Sequence, residues 1–589
     1  MVADLPKERP PTHEGTSLTS FSKALALGEI HEDLVFPYPV PRTEEADRAR
    51  VLIQRFRDYA AAKLNPTAID RDGWIADEIF QDLGDLGLMG LYVDREYGGG
   101  GFSQTAYARI FEALAEAGGS LGVAMGVHQS IGMKGISIYG SEEQKQRLLP
   151  DLCSGRKLAA FALTEPHAGS DAFNIESRAV QQRDGSWLLN GEKRFIGNGG
   201  RGSVFVTFAR TEIDGKDRHT AFILERGMDG FEAGDRYDTM GLRGNDLRPL
   251  YFHDVRVPPE NVLGEPGQGF GIAMQVLNNG RLSLGASCVG LAKQLLDLAI
   301  GHVKERHQFN QRLADFDLVK DKVGWMVSYL FGLESTCYLT TGLVDAGIRD
   351  YSIESAICKV AGTEFVWYQA NRAMQLKGGE GYLRSEPYEL IMRDIRIFPI
   401  FEGANDVLRS YIALSALKPL GHELEVLADA DLSDPIRLLG AFTEDVLGRV
   451  RRAVHHPDRL TRTHGQLAGL ADPVGEQVKR LRQAGEGLLR RYGPTVSEHG
   501  MQHKRLAAAL ADIYSQVAVL SRVTSILDEP GPETSAAQER QIAETFCARA
   551  ARRVNLALDD IERNDDERTQ SIADLAYDRG AYGYALLGD

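Results

Sequence analysis

At 589 residues the chain is too long for one hydrophobic core, so several domains are expected. A hydrophobic share of 43% with 25% charged residues describes an ordinary soluble globular protein, and a net charge of -16 argues against a nucleic-acid binder, which needs a basic face. The cysteines Cys153, Cys288, Cys337, Cys358 and Cys547 form no CxxC pair and no zinc spacing. They read as reduced, buried thiols of a cytoplasmic protein, and no metal site is expected. The N-terminus has no secretory-type apolar segment, and no run reaches the roughly eighteen apolar residues of a membrane span.

Residues 1–42 carry Pro6, Pro10, Pro11, Pro37, Pro39 and Pro41 and read as an extended arm on the body of the protein. From 43 to 157 the pattern is helical, with Val51, Ile53, Phe56 and Tyr59 spaced for one face and helix stops at Gly98 to Gly101 and Gly118-Gly119. From 158 to 267 the period changes to two. Val204, Val206 and Phe208 share a strand face, and Asn190-Gly191 signals a hairpin turn. Gly264-Glu-Pro-Gly267-Gln-Gly269 lacks a βαβ context and reads as a turn entering a helix. Helical spacing returns over 268–418, where Leu291, Leu295, Ala299 and Val303 make a stripe. Residues 419–589 are helical again, with Leu506, Leu510, Ile513 and Val517 on a buried face. Pro435, Pro457, Pro473, Pro494, Pro530 and Pro532 punctuate that last region. The fold class is α+β, with a β-domain inserted between two helical blocks.

The most informative stretch runs from Arg393 to Arg409. Glu402 follows an apolar run (Ile395, Ile397, Phe398, Ile400, Phe401) and precedes Gly403. Apolar surroundings raise a carboxyl pKa and make the group a better base. A base at the mouth of an apolar pocket suits removal of a weakly acidic C–H proton. The plain reading is a helix-start carboxylate stabilised by the dipole, ahead of a helix capped by Asn405-Asp406. Four glycines, Gly122, Gly126, Gly132 and Gly135, punctuate one helix, for close packing or for room beside it. Thr164-Glu-Pro-His-Ala-Gly169-Ser170-Asp is an ordinary polar turn or a phosphate cradle.

The Glu402 stretch resembles the catalytic segment of acyl-CoA dehydrogenases, in which the Glu before Gly is the base. Further stretches match that family in order: Gly126 to Gly135, Leu163 to Asp171, Tyr251 to Pro258 with Asn278 to Arg281, and Gln375 to Gly379. The resemblance covers roughly residues 45 to 418 and, more loosely, the remainder. Among subfamilies the chain is most similar to the very-long-chain type, which carries an extra C-terminal helical domain.

The resemblance implies a helical N-terminal domain, a middle β-domain, a helical bundle and the extra helical domain. It implies FAD as cofactor and α,β-dehydrogenation of a long-chain fatty acyl-CoA to trans-2-enoyl-CoA in fatty acid β-oxidation. Glu402 is the implied base. Leu163, Thr164, Gly169, Ser170, Phe195, Gly197, Asn405 and Asp406 are the implied flavin contacts within one subunit. Arg306, Gln308 and Phe309, with Gln375, Gly378 and Gly379, match segments that reach the FAD of a neighbouring subunit, so a homodimer or higher oligomer is implied. Arg281 matches the arginine beside base and substrate, Gly122 and Gly126 line the implied acyl pocket, and Ser170 is also an implied substrate contact. An electron-transfer flavoprotein is the implied acceptor.

Three departures stand out. Phe195-Ile196-Gly197 replaces the family's Trp-Ile-Thr or Trp-Ile-Ser and loses a flavin-bonding hydroxyl. Ala404 replaces the usual Thr after Glu-Gly, and Asn310 stands where Gly usually follows Phe309. A basic cluster from Arg449 to Arg491 is a solvated face or a contact for anionic lipid. An acyl-CoA oxidase and a low-turnover flavin-binding scaffold remain the alternative functions. A nucleic-acid-associated relative is opposed by the acidic balance.

Overall fold

The structure, a computed structural model, describes residues 20–428, 459–529 and 536–585. Pro6, Pro10, Pro11, Pro435, Pro457, Pro530, Pro532, Arg449, Arg451 and Arg452 lie outside them.

Residues 20–42 are not an extended arm. Phe21–Ala26 (α1) and Glu32–Val35 (α2) are short helices, and Phe21, Leu25, Ile30, Val35 and Phe36 enter the hydrophobic core. Buried carboxylates stitch them down. Glu354 accepts from Ser20 Oγ and the Ser22 N–H at 2.7 Å each, and Glu32 accepts from Thr461 and Arg462 of the C-terminal region. Gly28, at φ +80°, follows the end of α1, and Pro37, Pro39 and Pro41 come after α2; the apolar residues of the two helices decide their burial.

The N-terminal helical domain comprises Thr43–Lys63 (α3), Pro66–Asp72 (α4), Asp77–Asp85 (α5), Gln104–Glu116 (α6), Gly119–Gly126 (α7), Lys134–Tyr139 (α8) and Glu142–Cys153 (α9). The buried stripe of α3 is Ala49, Leu52 and Phe56, while Val51 is 62% exposed. Of the expected stripe Val51, Ile53, Phe56 and Tyr59, Phe56 is buried and Ile53 and Tyr59 pack against the same core, while Val51 faces out. Between α7 and α8 the chain forms a π-helix, Val127–Met133. Such widened turns are rare and gather at functional sites. Two buried side chains brace this one. His128 Nδ1 accepts the Ala159 N–H at 3.0 Å, and Gln129 bonds the backbone of Leu88 and Leu91. Burial pushes His128 down to about 4, so it is neutral at pH 7.

The β-domain is one eight-stranded mixed sheet. Its strands are Ala159–Ala162 (β1), Arg178–Gln181 (β2), Trp187–Ile196 (β3), Val204–Ile213 (β4), Lys216–Glu225 (β5), Phe231–Ala233 (β6), Arg248–Val257 (β7) and Val262–Leu263 (β8). Their order is β6-β7-β3-β2-β4-β5-β8, with β1 parallel to β4 off that path. Val204, Val206 and Phe208 do share a face, packed towards the helices, and Phe205 and Ala209 fill a second core on the opposite face. The sheet is therefore buried on both sides along β4. Asn190-Gly191 is not a turn. It lies inside β3 at a register shift, where a Cβ on Gly191 would fall 2.3 Å from Ser177 Oγ. Glycine serves close backbone approach there. The two-residue hairpin is instead Asp214-Gly215 between β4 and β5, with both φ positive (53° and 69°).

The bundle holds Gly269–Glu305 (α10), Asp317–Asp345 (α11), Ser352–Lys377 (α12), Pro387–Ile395 (α13) and Asn405–Ala428 (α14). The glycine-rich turn does lead into α10, and Leu291, Leu295, Ala299 and Val303 are buried on it. Among the described residues the C-terminal helices are Ala468–Tyr492 (α15), Gly500–Asp528 (α16), Ala536–Glu562 (α17) and Asp566–Arg579 (α18). Leu506, Leu510, Ile513 and Val517 of α16 are buried. Contrary to the reading of the sequence, α10 and α16 are each long and apolar enough to cross a membrane by length and composition. Their apolar windows are 67% and 72% buried in protein, so they are core helices here. Glu334 of α11 ties the units together. It pairs with Arg109 on α6, Lys293 on α10 and Arg522 on α16.

Candidate active site

Glu402 lies in the short loop between α13 and α14 with φ +57°, followed by Gly403 at +91°. The left-handed conformation is costly for a non-glycine residue and persists only where its surroundings hold it. The loop rests on α10 at Gly280. A Cβ on that glycine would fall 2.8 Å from Glu402 Oε2 and 2.9 Å from Ile131 Cγ2. No other residue type lets the carboxylate approach the helix so closely.

Glu402 Oε2 is buried and has no hydrogen-bond partner among the described residues. The carboxylate therefore does not cap α14, which decides against the plain helix-start reading. Burial pushes the Glu402 carboxyl up to about 7, against the pull of the Arg281 and Lys359 cations. Arg281 is 6% exposed; its Nε faces the Glu402 carbonyl at 3.4 Å and its Nη1 donates to Asn278 Oδ1 at 2.9 Å. Lys359 is fully buried and donates to Gly403 O and Asn405 Oδ1, both at 2.8 Å. Asn405 itself is buried and bonds Thr363 Oγ1 and Glu364. Its side chain braces the Glu402 loop. The Asp406 side chain is 96% exposed and pairs with Arg409.

A second group gathers at the ends of β1 and β3. The loop after β1 is shaped by Glu165, which accepts from the N–H of Ser177 at 3.1 Å and from Lys193 Nζ at 2.6 Å, deep inside the protein. That anchor leaves Thr164 half-buried and Gly169 and Ser170 exposed. Phe195 has φ +58° and leaves its ring 55% exposed, 5.2 Å from the Tyr237 ring. Gly197 does not need a left-handed angle. A Cβ there would meet Val127 Cγ2 of the π-helix at 2.9 Å. The π-helix thus touches both groups, through Val127 at Gly197 and Ile131 at Gly280.

The implied acyl-pocket glycines divide. A Cβ on Gly122 would meet Ala115 Cα at 3.2 Å, which is close helix packing. A Cβ on Gly126 would meet nothing nearer than the Phe111 ring and Ser130 Oγ, at 3.7 Å. Packing does not require glycine at Gly126.

The third group is remote. Arg306 follows the last residue of α10, 26 residues beyond Gly280, about 39 Å at 1.5 Å per residue. Phe309-Asn310 forms a two-residue hairpin tip with φ +50° and +61°, and Phe309 is 87% exposed. Asparagine tolerates the left-handed angle, which accounts for Asn310 in place of glycine. Gln375, Gly378 and Gly379 are exposed near the same end, and open space surrounds both glycines.

Residues 46–156, 160–255 and 267–417 match the N-terminal, middle and C-terminal domains of acyl-CoA dehydrogenase, and residues 465–581 match the ACAD9/ACADV C-terminal domain. The chain is 34% identical over 582 residues to the human mitochondrial very long-chain specific acyl-CoA dehydrogenase, covering 94% of this chain and 87% of that protein. The chain belongs to the acyl-CoA dehydrogenase family. A probable acyl-CoA dehydrogenase of Bacillus subtilis is 34% identical, over 66% of this chain and 69% of its own length. The crystal structure of a Bacillus anthracis acyl-CoA dehydrogenase complexed with FAD aligns with TM-score 0.79 at 28% identity, over 94% of both chains. Butyryl-CoA dehydrogenase of Megasphaera elsdenii aligns at TM-score 0.61 and 33% identity, over 64% of this chain and all of that one.

This acyl-CoA dehydrogenase is an FAD enzyme of fatty acid β-oxidation. Its residues fit the cofactor. The exposed Phe195 ring and the exposed Gly169-Ser170 pair, with open space at Gly169, offer an aromatic wall and free backbone to a flavin. Sequence reasoning gave no role to Gly280 or Lys359. Gly280 lies in the family-matching stretch Asn278 to Arg281, yet its purpose, like that of the buried Lys359, shows only once Glu402 is seen beside it. The basic run on α15 is in part an internal ion-pair surface, with Arg480 bonding Asp559 at 2.6 Å and Arg482 bonding Glu486 at 2.8 Å. All five cysteines are free and buried.

Proposed function

We propose that this enzyme converts long-chain fatty acyl-CoA to trans-2-enoyl-CoA, with Glu402 removing the α proton. The carrying observation is the buried, unpartnered Oε2 of Glu402, set on Gly280. A carboxylate without hydrogen bonds spends none of its basicity on the protein, and a carboxyl at about 7 is matched to neutral pH. Arg281 and Lys359 keep a fraction of it ionised. FAD, when bound, supplies the two-electron acceptor for the β hydrogen. Leu163, Thr164, Phe195 and Gly197 hold the flavin ring end in this reading, with Ser170 and Gly169 at its phosphates and Ser170 also near the substrate.

Two observations support a long chain: the similarity to very long-chain specific enzymes across 94% of this chain, and the glycine at Gly126 that packing does not demand. The roughly 39 Å of α10 between Gly280 and Arg306 supports a homodimer, in which Arg306, Gln308 and Phe309, with Gln375, Gly378 and Gly379, serve the cofactor of a second copy. An electron-transfer flavoprotein completes the cycle in this reading, and the reduced, buried thiols suit the cytoplasm.

Anaerobic addition of a long-chain acyl-CoA to the purified yellow protein tests the reading. The flavin bleaches in wild type; Glu402→Gln keeps its colour and does not bleach. Bleaching of that variant at the wild-type rate would show that another residue is the base. Rapid reoxidation in air, in place of electron-transfer flavoprotein, would reassign the enzyme as an oxidase.

A further inference from the structure

The Glu402 turn has two consecutive left-handed residues, Glu402 (φ +57°) and Gly403 (φ +91°), and only the second is glycine. Something must hold the first in place. Arg281 reaches the loop only through a long 3.4 Å contact with the Glu402 carbonyl. The short contacts come from the opposite side. Lys359, in the N-terminal third of α12, donates to the Gly403 carbonyl and to the Asn405 side chain, 2.8 Å each. These two acceptors flank Ala404, whose methyl offers no polar atom. Thr363, one turn along α12, accepts from Asn405 Nδ2 at 3.0 Å and fixes the amide's orientation toward the ammonium.

We propose that Lys359 is the positioning residue for the base: its buried ammonium clamps both sides of Ala404 and thereby holds Glu402 in the turn that aims its carboxylate over Gly280. The inference rests on the reading of Glu402 as the base.

Burying a lysine is costly, and its charge must be answered locally. The groups around it are Glu402 on the loop, Arg281 and Cys288 from α10, and Glu364 on α12, itself paired with Arg409 from α14. Glu402 is the largest favourable influence on the ammonium, and Arg281 opposes it. Burial outweighs these and brings Lys359 down to about 7, where the carboxyl also stands. The two groups share one electrostatic balance. The ammonium makes the carboxyl easier to ionise, and the carboxylate keeps the ammonium charged. A lysine that served packing alone would not need two hydrogen bonds to the catalytic loop.

Three FAD-loaded variants, each measured by anaerobic flavin reduction with a long-chain acyl-CoA across pH 5.5 to 9, test the inference. Lys359→Met removes clamp and charge. It is expected to slow reduction by about tenfold or more, leave the substrate dissociation constant within about threefold, and move the base-ionisation limb upward by about one pH unit. Lys359→Arg keeps the charge but misplaces the donors, and Asn405→Ala keeps the charge but removes one acceptor. Both are expected to be slow with the limb unmoved to within about 0.3 unit. A Lys359→Met enzyme with wild-type rate and limb overturns the inference. If that variant does not retain FAD, wild-type rates in both Lys359→Arg and Asn405→Ala overturn it equally. Glu402→Gln is run beside them. Loss of reduction there with a normal Lys359→Met removes the positioning role and leaves the base intact; normal reduction in Glu402→Gln removes the base reading itself.

Discussion

Gly280→Ala puts the close approach of base and helix to a quantitative test. The added methyl would lie 2.8 Å from Glu402 Oε2 and 2.9 Å from Ile131 Cγ2, whereas comfortable contacts start near about 3.5 Å. The carboxylate must therefore retreat by about 0.6–0.8 Å. A misplacement of about 1 Å at a reacting group costs on the order of 10²-fold in rate, so a loss of roughly ten- to hundredfold is expected, about 1.4–2.8 kcal/mol. Stability should change little. Overpacking costs about 1–3 kcal/mol, but alanine returns about 1 kcal/mol of helix propensity. The assay is anaerobic flavin reduction at saturating acyl-CoA, with FAD content from the visible spectrum and thermal unfolding in parallel. The double variant Gly280→Ala/Ile131→Ala relieves the second contact and leaves the first, so it should be as slow as the single one. An FAD-loaded Gly280→Ala enzyme within about twofold of wild type, or a double variant restored to full speed, would refute the reasoning.

Flavin reduction should rise with pH through about 7, because the base must be ionised to act. The same shift has a stability counterpart. A carboxyl raised in the folded state contributes stability that is present below its unfolded value of 4.5 and lost as pH rises through about 7. Glu402→Gln should accordingly melt above wild type at pH 8.5 and level with it at pH 4.5, as read by differential scanning. Gly197→Thr should lower the melting temperature and FAD content, because its Cβ meets Val127 Cγ2 at 2.9 Å; adding Val127→Ala should recover both, and failure to do so would point away from that contact. Gly126→Leu fills the space toward Phe111 and should cut turnover on long acyl chains more than on short ones; a uniform loss would indicate disturbed helix packing instead.

The sequence by itself determined the order of the domains and the strand-rich insert, and it singled out Glu402 as the candidate base. Periodicity reports which face of an element is buried, and Val204, Val206 and Phe208 on β4 or Leu291, Leu295, Ala299 and Val303 on α10 are unambiguous in that respect. The ordered motifs carried the family and its cofactor. Local signals failed where a distant segment set the backbone. Asn190-Gly191 carries a turn signature, yet Ser177 presses on it and keeps it inside β3. Of the expected α3 stripe only Val51 fails, because apolar residues of that helix occur in more than one register and packing selects Leu52 and Phe56, with Ile53 and Tyr59 beside them, over Val51. Residues 20–36 read as part of a proline-rich arm but place Phe21, Leu25, Ile30, Val35 and Phe36 in the core, where Glu354, from a distant part of the chain, and Glu32, from the segment itself, make the hydrogen bonds that hold it. The surroundings of the base belong to tertiary structure in the same way. Gly280, Lys359 and Glu402 lie at least 40 residues apart in sequence, and nothing local to Glu402 reveals that its carboxylate lies on a glycine with no hydrogen bond to Oε2. A pKa depends on burial and on neighbouring charge, and the packing of α10, α12 and the α13–α14 loop brings both to one point.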